Sequence, residues 1–143
     1  TNGSRALQLA TAGSAGSVGA AALLNARAAA HWALGQGRDL TFLCAGTEGR
    51  FSLEDAVGAG CIITRLRESD GGFVLTDAAR AAELLWRHYE GRVREIFADG
   101  HHGRRLQELG FERDLDYCAQ VDVCDTVVIW DTDRLVRADE PAS

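Results

Sequence analysis

The stretch DLTFLCAGTEGRFSLEDAVGAG, residues 39–60, joins a short apolar run to a helical pattern through a glycine-containing turn. The run at 39–44 has the length and composition of a buried β-strand. Gly46 and Gly49 allow the backbone of the turn to approach a ligand closely, and Ser52 is a favourable N-cap for the following helix. The stretch therefore predicts a strand, a tight turn and a helix in direct succession, which is a building unit of α/β folds.

The first third of the chain alternates strand and helix patterns, and helix patterns dominate afterwards. Further strands are predicted at 18–24 and 126–130, and helices at 4–12, 26–34, 52–66, 76–89, 92–98, 102–109 and 113–119. This order indicates a single α/β domain over residues 1–138, a layered α/β/α sandwich with a mainly parallel sheet. Residues 139–143, which hold the only proline, are predicted to be a frayed tail.

The start of the chain reads as the turn after a strand, although no strand pattern precedes it. The sequence opens with Thr1, Asn2, Gly3 and Ser4 and contains no methionine. We therefore expect the sandwich to be incomplete, with the N-terminal part of the domain absent.

The composition of the chain disfavours two classes of binding partner. The chain has 143 residues, is 46% hydrophobic and carries a formal net charge of -6, so it is large enough for one core and its charge disfavours nucleic acid and anionic membranes. No apolar run reaches the roughly 18 residues that a membrane-spanning helix needs. Its four cysteines are scattered, which predicts reduced thiols and a cytoplasmic location; self-association into a homo-oligomer is left open.

Ligands of open α/β sheets bind at the turns that follow the strands, and the first such turn is at residues 1–5. The N–H groups of Asn2, Gly3 and Ser4 would lie at a helix N-terminus, which favours an anion, and Arg5 could form a bidentate contact to it. A plain capping turn with a surface arginine is the alternative interpretation. At the second turn, Asn25 is interpreted as an ordinary helix N-cap.

The third turn, within the opening stretch, concentrates carboxylates. Glu54 and Asp55 fall in the first helical turn, where the helix dipole favours acids. That explanation suits Glu54 but not Glu48, which lies between two glycines in the turn. Mg²⁺ commonly takes one or two carboxylates together with water and substrate phosphate. Glu48 and Asp55 are therefore candidate ligands of a magnesium ion.

Two further clusters carry titratable side chains. His101 and His102 could supply a general acid, or could simply start a helix. Asp122 and Asp125 are interpreted as a polar turn before the last strand. The chain contains none of the GxSxG, Walker A, CxxxxxR or HExxH motifs, so the common hydrolase mechanisms are not indicated.

Three segments resemble the 2-phosphosulfolactate phosphatase family. TNGSRAL at 1–7 resembles its TNGTRAL-type motif, with Ser4 where threonine is usual, and CAGTEGRFSLED at 44–55 resembles its longest signature. HGRRL at 102–106, followed by Asp114, Cys118 and Asp122, is similar to its C-terminal pattern. The resemblance implies a Mg²⁺-dependent phosphatase that hydrolyses 2-phosphosulfolactate to sulfolactate and phosphate, a step of coenzyme M biosynthesis in methanogens.

The resemblance also implies residue roles. Glu48 and Asp55 would hold Mg²⁺ against the phosphate, and Arg50 would complete the catalytic group. The other anionic groups of a small phosphate- and sulfonate-bearing substrate would bind at Asn2, Gly3, Ser4 and Arg5. A fragment that binds small anions without catalysis, or serves only in assembly, is the alternative.

Overall fold

The computed structural model describes residues 2–13, 16–70 and 72–139. In this part of the chain, helices and a small sheet form a mixed α/β structure, so the predicted class is confirmed. The elements are α1 (Asn2–Ala12), β1 (Gly19–Ala20), α2 (Ala26–Gly35), α3 (Leu53–Ser69), α4 (Asp77–Tyr89), α5 (Glu95–Asp99), α6 (His101–Glu108), α7 (Glu112–Cys118), β2 (Val128–Asp131) and β3 (Arg134–Arg137), with a 3-10 turn at Leu23–Asn25.

Local capping chemistry sets the helix starts where the sequence predicts them. The Ser52 hydroxyl accepts a hydrogen bond from the backbone N–H of Asp55 at 3.2 Å, and Thr76 caps α4 in the same way. Each bond satisfies an N–H group that has no partner within its own helix. α3 continues to Ser69, beyond the predicted end of this helix at residue 66.

The sheet differs from the predicted one. Its three strands run in the order β1-β2-β3, and both pairings are antiparallel. A parallel sandwich is therefore not confirmed, and for this sheet the predicted direction is wrong. The physical reason is the short link from β2 to β3, where Thr132 has a positive φ of 55°. A connection of that length can join only antiparallel neighbours.

The apolar segment 39–44 is extended but is not a strand of this sheet. Leu40 and Phe42 are half-buried and pack against the core, whereas Leu43 points away and is 51% exposed. This in-and-out alternation is that of a β-strand with one covered face. Within the described part of the chain, no backbone hydrogen bond engages residues 39–44, so the predicted strand lacks its neighbours.

The core lies where α2, α3 and α4 meet, and α3 contributes most of it. Gly60 permits the closest approach, because a Cβ there would overlap the carbonyl oxygen of Ala82 on α4. The buried residues of the main cluster are Leu23, Ala26, Ala30, Val57, Cys61, Ile62, Leu66, Trp86, Tyr89 and Ile96. This packing fixes α3, and therefore the loop that precedes it, relative to the rest of the chain.

Both ends of the chain extend beyond the described residues. Thr1 of the predicted anion-binding turn and residues 140–143 of the predicted tail lie outside them. Asp139 is described, and its carboxylate pairs with Arg137. Within 2–13, 16–70 and 72–139, no helix is both long enough and apolar enough to cross a membrane.

Candidate functional site

The loop 46–50 is a tight turn closed by two backbone hydrogen bonds. Thr47 and Arg50 exchange N–H···O bonds of 3.1 and 2.9 Å. The φ angles of Glu48 and Gly49 between them are 53° and 75°, and positive values at both central positions are those of a type I′ turn. Gly46 has a φ of 70°, and a Cβ there would lie 2.6 Å from the carbonyl oxygen of Arg50.

A chain of hydrogen bonds fastens this loop to the first turn of α3. The N–H of Gly46 donates to Oδ2 of Asp55 at 2.7 Å, and the N–H of Asp55 donates to the Ser52 hydroxyl at 3.2 Å. That hydroxyl in turn donates to Oε2 of Glu54 at 3.0 Å. The loop is therefore held by the same helix start that the core positions.

Glu54 extends the chain of bonds to a distant element. Its Oε1 accepts a hydrogen bond from the N–H of Gly103 at 3.0 Å, in the first turn of α6. A Cβ at Gly100 would lie too close to the same carboxylate. Glu54 thus neutralises the N-terminus of α6 as well as that of its own helix. The sequence pattern predicted only the role at the start of α3, because Gly103 on α6 is 49 positions away from Glu54.

This contact places the histidine pair beside the loop region. His101 and His102 form the first two positions of α6, immediately before Gly103, and both are exposed. The structure therefore brings the start of α6 against the start of α3, which also carries Asp55. The histidines and the carboxylates lie in separate segments of the sequence, so this proximity was not predicted.

Three polar side chains of the loop and helix start retain capacity for a ligand. Glu48 and Arg50 are exposed, and within the described residues neither side chain forms a hydrogen bond or an ion pair. Asp55 is half-buried and uses Oδ2 for Gly46, which leaves Oδ1 available. Glu54, by contrast, has both oxygens bonded. Glu54 therefore has a structural role, whereas Glu48 and Asp55 have oxygens that can bind a ligand.

The turn at residues 2–5 lies in the first turn of α1, as the sequence predicts for a helix N-terminus. Among the described residues, none of those in α1 is buried. The helix is therefore formed locally but is not packed into the core. A cleft shared by Asn2, Gly3, Ser4 and Arg5 with Glu48 stays a prediction.

Asp122 has a structural role that sequence analysis missed. Its Oδ1 accepts from the N–H of Arg27 in the first turn of α2 at 2.6 Å, and its Oδ2 accepts from Nε of Arg65 at 3.0 Å. Its side chain is 8% exposed and its φ is 56°. Asn25 does precede α2, but its amide donates to the carbonyl of Thr126. Asp122 therefore links α2 to α3 through hydrogen bonds to Arg27 and Arg65.

The cysteines near the site are not disposed to act as nucleophiles. Desolvation of the sulfur, and then the charge of Asp55, raise the pKa of the Cys44 thiol. Burial raises the pKa of Cys61 to about 12. A thiol with a raised pKa is protonated near neutral pH and is a weak nucleophile. The polar groups that remain exposed at the loop and at the start of α6 are the carboxylate of Glu48, the guanidinium of Arg50 and the imidazoles of His101 and His102.

The donor set of the loop suits a magnesium site built from few protein ligands. Among the described residues, no group of three or more His, Cys, Asp or Glu side chains is placed to hold a metal ion. Mg²⁺ does not require one, since it commonly keeps water and substrate oxygens as ligands beside one or two carboxylates. Glu48 and the open oxygen of Asp55 fit that chemistry.

The comparisons with known proteins agree with these motifs. A family model described as 2-phosphosulpholactate phosphatase matches residues 1–133, so the chain belongs to this family. A probable 2-phosphosulfolactate phosphatase of Caldanaerobacter subterraneus subsp. tengcongensis is 39% identical over 127 residues, which cover 89% of this chain and 52% of the relative. One of Thermotoga maritima is 42% identical over 108 residues, covering 76% and 45% respectively.

The extent of these matches matters for the function. A probable 2-phosphosulfolactate phosphatase of Symbiobacterium thermophilum is 38% identical over 85% of this chain and 51% of its own length. The chain thus spans about half the length of the curated relatives it matches.

Proposed function

We propose that this chain carries part of the active site of a Mg²⁺-dependent phosphatase that hydrolyses 2-phosphosulfolactate to sulfolactate and phosphate. The observation that carries the proposal is the fixed turn 47–50, whose Glu48 and Arg50 side chains are unengaged within the described residues. It lies inside the segment that matches the family. The acidic composition and scattered cysteines support a cytoplasmic enzyme.

Two carboxylates would hold the metal. Glu48 would bind Mg²⁺ from the turn, and Asp55 would bind it through Oδ1 while Oδ2 keeps its bond to Gly46. When bound, the ion supplies positive charge that neutralises the phosphoryl oxygens and orients the reacting groups. The hydrogen bonds of the loop fix its backbone and the Asp55 carboxylate in advance, which reduces the ordering needed when substrate arrives.

Arginines would bind the remaining anionic groups. The guanidinium of Arg50 can donate parallel hydrogen bonds to a phosphoryl, carboxylate or sulfonate group. The helix N-terminus at Asn2, Gly3 and Ser4, with Arg5, would take a second anionic group. A substrate with both a phosphate and a sulfonate has anionic groups for both places.

Hydrolysis breaks the bond between phosphorus and the ester oxygen of the substrate. Overall, a water oxygen is added to phosphorus, and the ester oxygen leaves as the hydroxyl of sulfolactate after it receives a proton. His101 and His102 are our candidates for that proton donor, because Glu54 holds the start of α6 beside the start of α3. An imidazole can donate a proton near neutral pH.

We include in this proposal a parallel sheet that contains the segment 39–44. The segment 39–44 has one covered face and no backbone partner within the described residues. Relatives have about twice the matched length. We assign this segment as a strand of a larger sheet whose neighbouring strands come from the other half of the family polypeptide. The loop 46–50 would then lie at the carboxyl end of a sheet strand.

Phosphate release from 2-phosphosulfolactate tests the function. The chain and the Thermotoga maritima relative are assayed side by side, with Mg²⁺ and with excess EDTA. We expect release by the relative that requires Mg²⁺, and a much lower rate for the chain without the other half. If neither protein releases phosphate in Mg²⁺ but the chain binds the substrate, the non-catalytic anion-binding alternative replaces the proposal.

A further inference from the structure

A second polar cluster lies far from the loop, where α3 and α4 pack together. The carboxylate of Glu83 is 1% exposed and accepts hydrogen bonds from three arginines. Oε1 accepts from Arg67 and, at 2.9 Å, from Arg87, while Oε2 accepts from Arg80 at 2.6 Å. Arg67 is at the end of α3 and the other three residues are on α4. We call these four residues the arginine cluster.

The arginine cluster has an excess of positive charge. Within the described residues, Glu83 is the only carboxylate that pairs with any of its three arginines. Burial opposes ionisation of Glu83, but its hydrogen bond to Arg67 and the charges of Arg67, Arg87 and Arg80 outweigh this and lower its pKa. Three positive charges therefore face one negative charge, in a chain whose formal net charge is -6.

Neutralising one buried carboxylate does not require three arginines. Arg67 and Arg87 share the same oxygen of Glu83, so their guanidinium groups are close together and repel each other. A single arginine would neutralise Glu83 without that repulsion. An anion that enters between the guanidinium groups would relieve it.

The cluster also has more hydrogen-bond donors than acceptors. A guanidinium has several N–H groups, and within the described part of the chain each arginine uses one nitrogen on Glu83. Nε of Arg67 is buried without an acceptor there. Arg80 and Arg87 are 49% and 56% exposed, so their remaining donors can be reached from solvent.

We infer that Arg67, Arg80 and Arg87 form a second anion-binding site that takes an oxyanion such as a phosphate group. Planar guanidinium groups donate pairs of hydrogen bonds that match the oxygen spacing of phosphate, and Glu83 holds them in position. The site is separate from the loop 46–50. Arg67 follows Asp55 on α3 by roughly 18 Å, at about 1.5 Å per residue.

Calorimetric titration with inorganic phosphate tests the site. The background is the Arg5→Gln, Arg50→Gln double variant of this chain, which removes arginines of the proposed active site. We expect the background to bind phosphate saturably at low ionic strength, and Arg80→Gln with Arg87→Gln to weaken binding by about tenfold or more. The matched control is Arg92→Gln with Arg105→Gln, which removes equal charge from arginines paired with Glu95 and Glu108 and should change the affinity less than about twofold.

Three outcomes would overturn the inference. These are no phosphate binding by the background, equal binding by the Arg80/Arg87 variant, or equal weakening in the matched control. Circular dichroism checks that each variant folds. If the glutamine variant does not fold, Arg80→Lys with Arg87→Lys takes its place, because it keeps the charge but loses the planar donor pairs. Unchanged affinity in that variant would likewise contradict a site built on guanidinium geometry.

Discussion

The loop 46–50 and the start of α1 are both turns at helix N-termini that the sequence assigns to one site, but they are anchored differently. The loop is bonded through Asp55, Ser52 and Glu54 to α3 and α6. By contrast, no residue of α1 within the described chain is buried. Helix propensity is enough to form a helix start, but only hydrogen bonds and packing to other elements give it a defined position.

The largest difference between the two regions is expected in catalysis. Glu48→Gln keeps the size of the side chain and removes the charge that would hold the metal. In a family polypeptide that contains both halves, we expect kcat at saturating Mg²⁺ to fall by about a hundredfold or more, as when one electrostatic group of a transition state is lost. The control is Glu112→Gln on α7. A near-normal rate for Glu48→Gln would remove the loop from the metal site.

A backbone substitution tests whether the loop is as rigid as its bonds imply. Gly46→Ala would put a Cβ 2.6 Å from the Arg50 oxygen at a positive φ, and we expect the free energy of unfolding to fall by about 2 kcal/mol. The matched control is Gly35→Ala, where nothing lies within 4 Å of the new Cβ. Urea denaturation compares the two, and equal stability would show that the turn is not held tightly.

A substitution of Arg50 distinguishes a role in substrate binding from a role in loop stability. Arg50→Lys keeps the positive charge but loses the planar pair of donors. We expect KM to rise by about tenfold while the melting temperature stays within about 1 °C, because the side chain bonds to no described residue. Arg105→Lys on α6 is the control for a general effect of the exchange. A lower melting temperature with an unchanged KM would instead assign Arg50 to loop structure.

The smallest effect on stability is expected from deletion of α1. Removal of residues 1–13 deletes α1, which has no buried residue in the described chain. We expect the free energy of unfolding to change by less than about 1 kcal/mol, measured by urea denaturation. In a family polypeptide that contains both halves, Arg5→Gln should lower the affinity for substrate. A large loss of stability after deletion would show that α1 packs on the rest of the chain.

The sequence predicted features that depend on neighbouring residues. Ser52 caps α3 as expected, and α4 begins beside Thr76, at the predicted start of its helix. Both hydroxyls accept a hydrogen bond from an N–H group three positions ahead. The long-range contacts could not be predicted in this way. Glu54 reaches Gly103 over 49 positions, and Asp122 reaches Arg27 over 95, and no local pattern encodes such a partner.

The sheet was predicted less well for a related physical reason. An apolar alternating run identifies a strand, but its direction in a sheet depends on which other segments pair with it. The run at 39–44 has no such partner in the described chain. β3 was missed because its residues, Arg134–Arg137, are mostly exposed and two of the four are arginines, so the strand lacks an apolar signal.

The open edge at 39–44 has a practical consequence for producing this chain by itself. The backbone N–H and C=O groups of this extended segment have no backbone partner among the described residues, and Leu43 and Phe51 nearby are exposed. Such a segment favours edge-to-edge aggregation between copies. Natural edge strands avoid such association with charged gatekeeper residues. Leu43→Lys would place a charge on the solvent side without touching the core, and it is the substitution we expect to keep concentrated samples of the chain in solution.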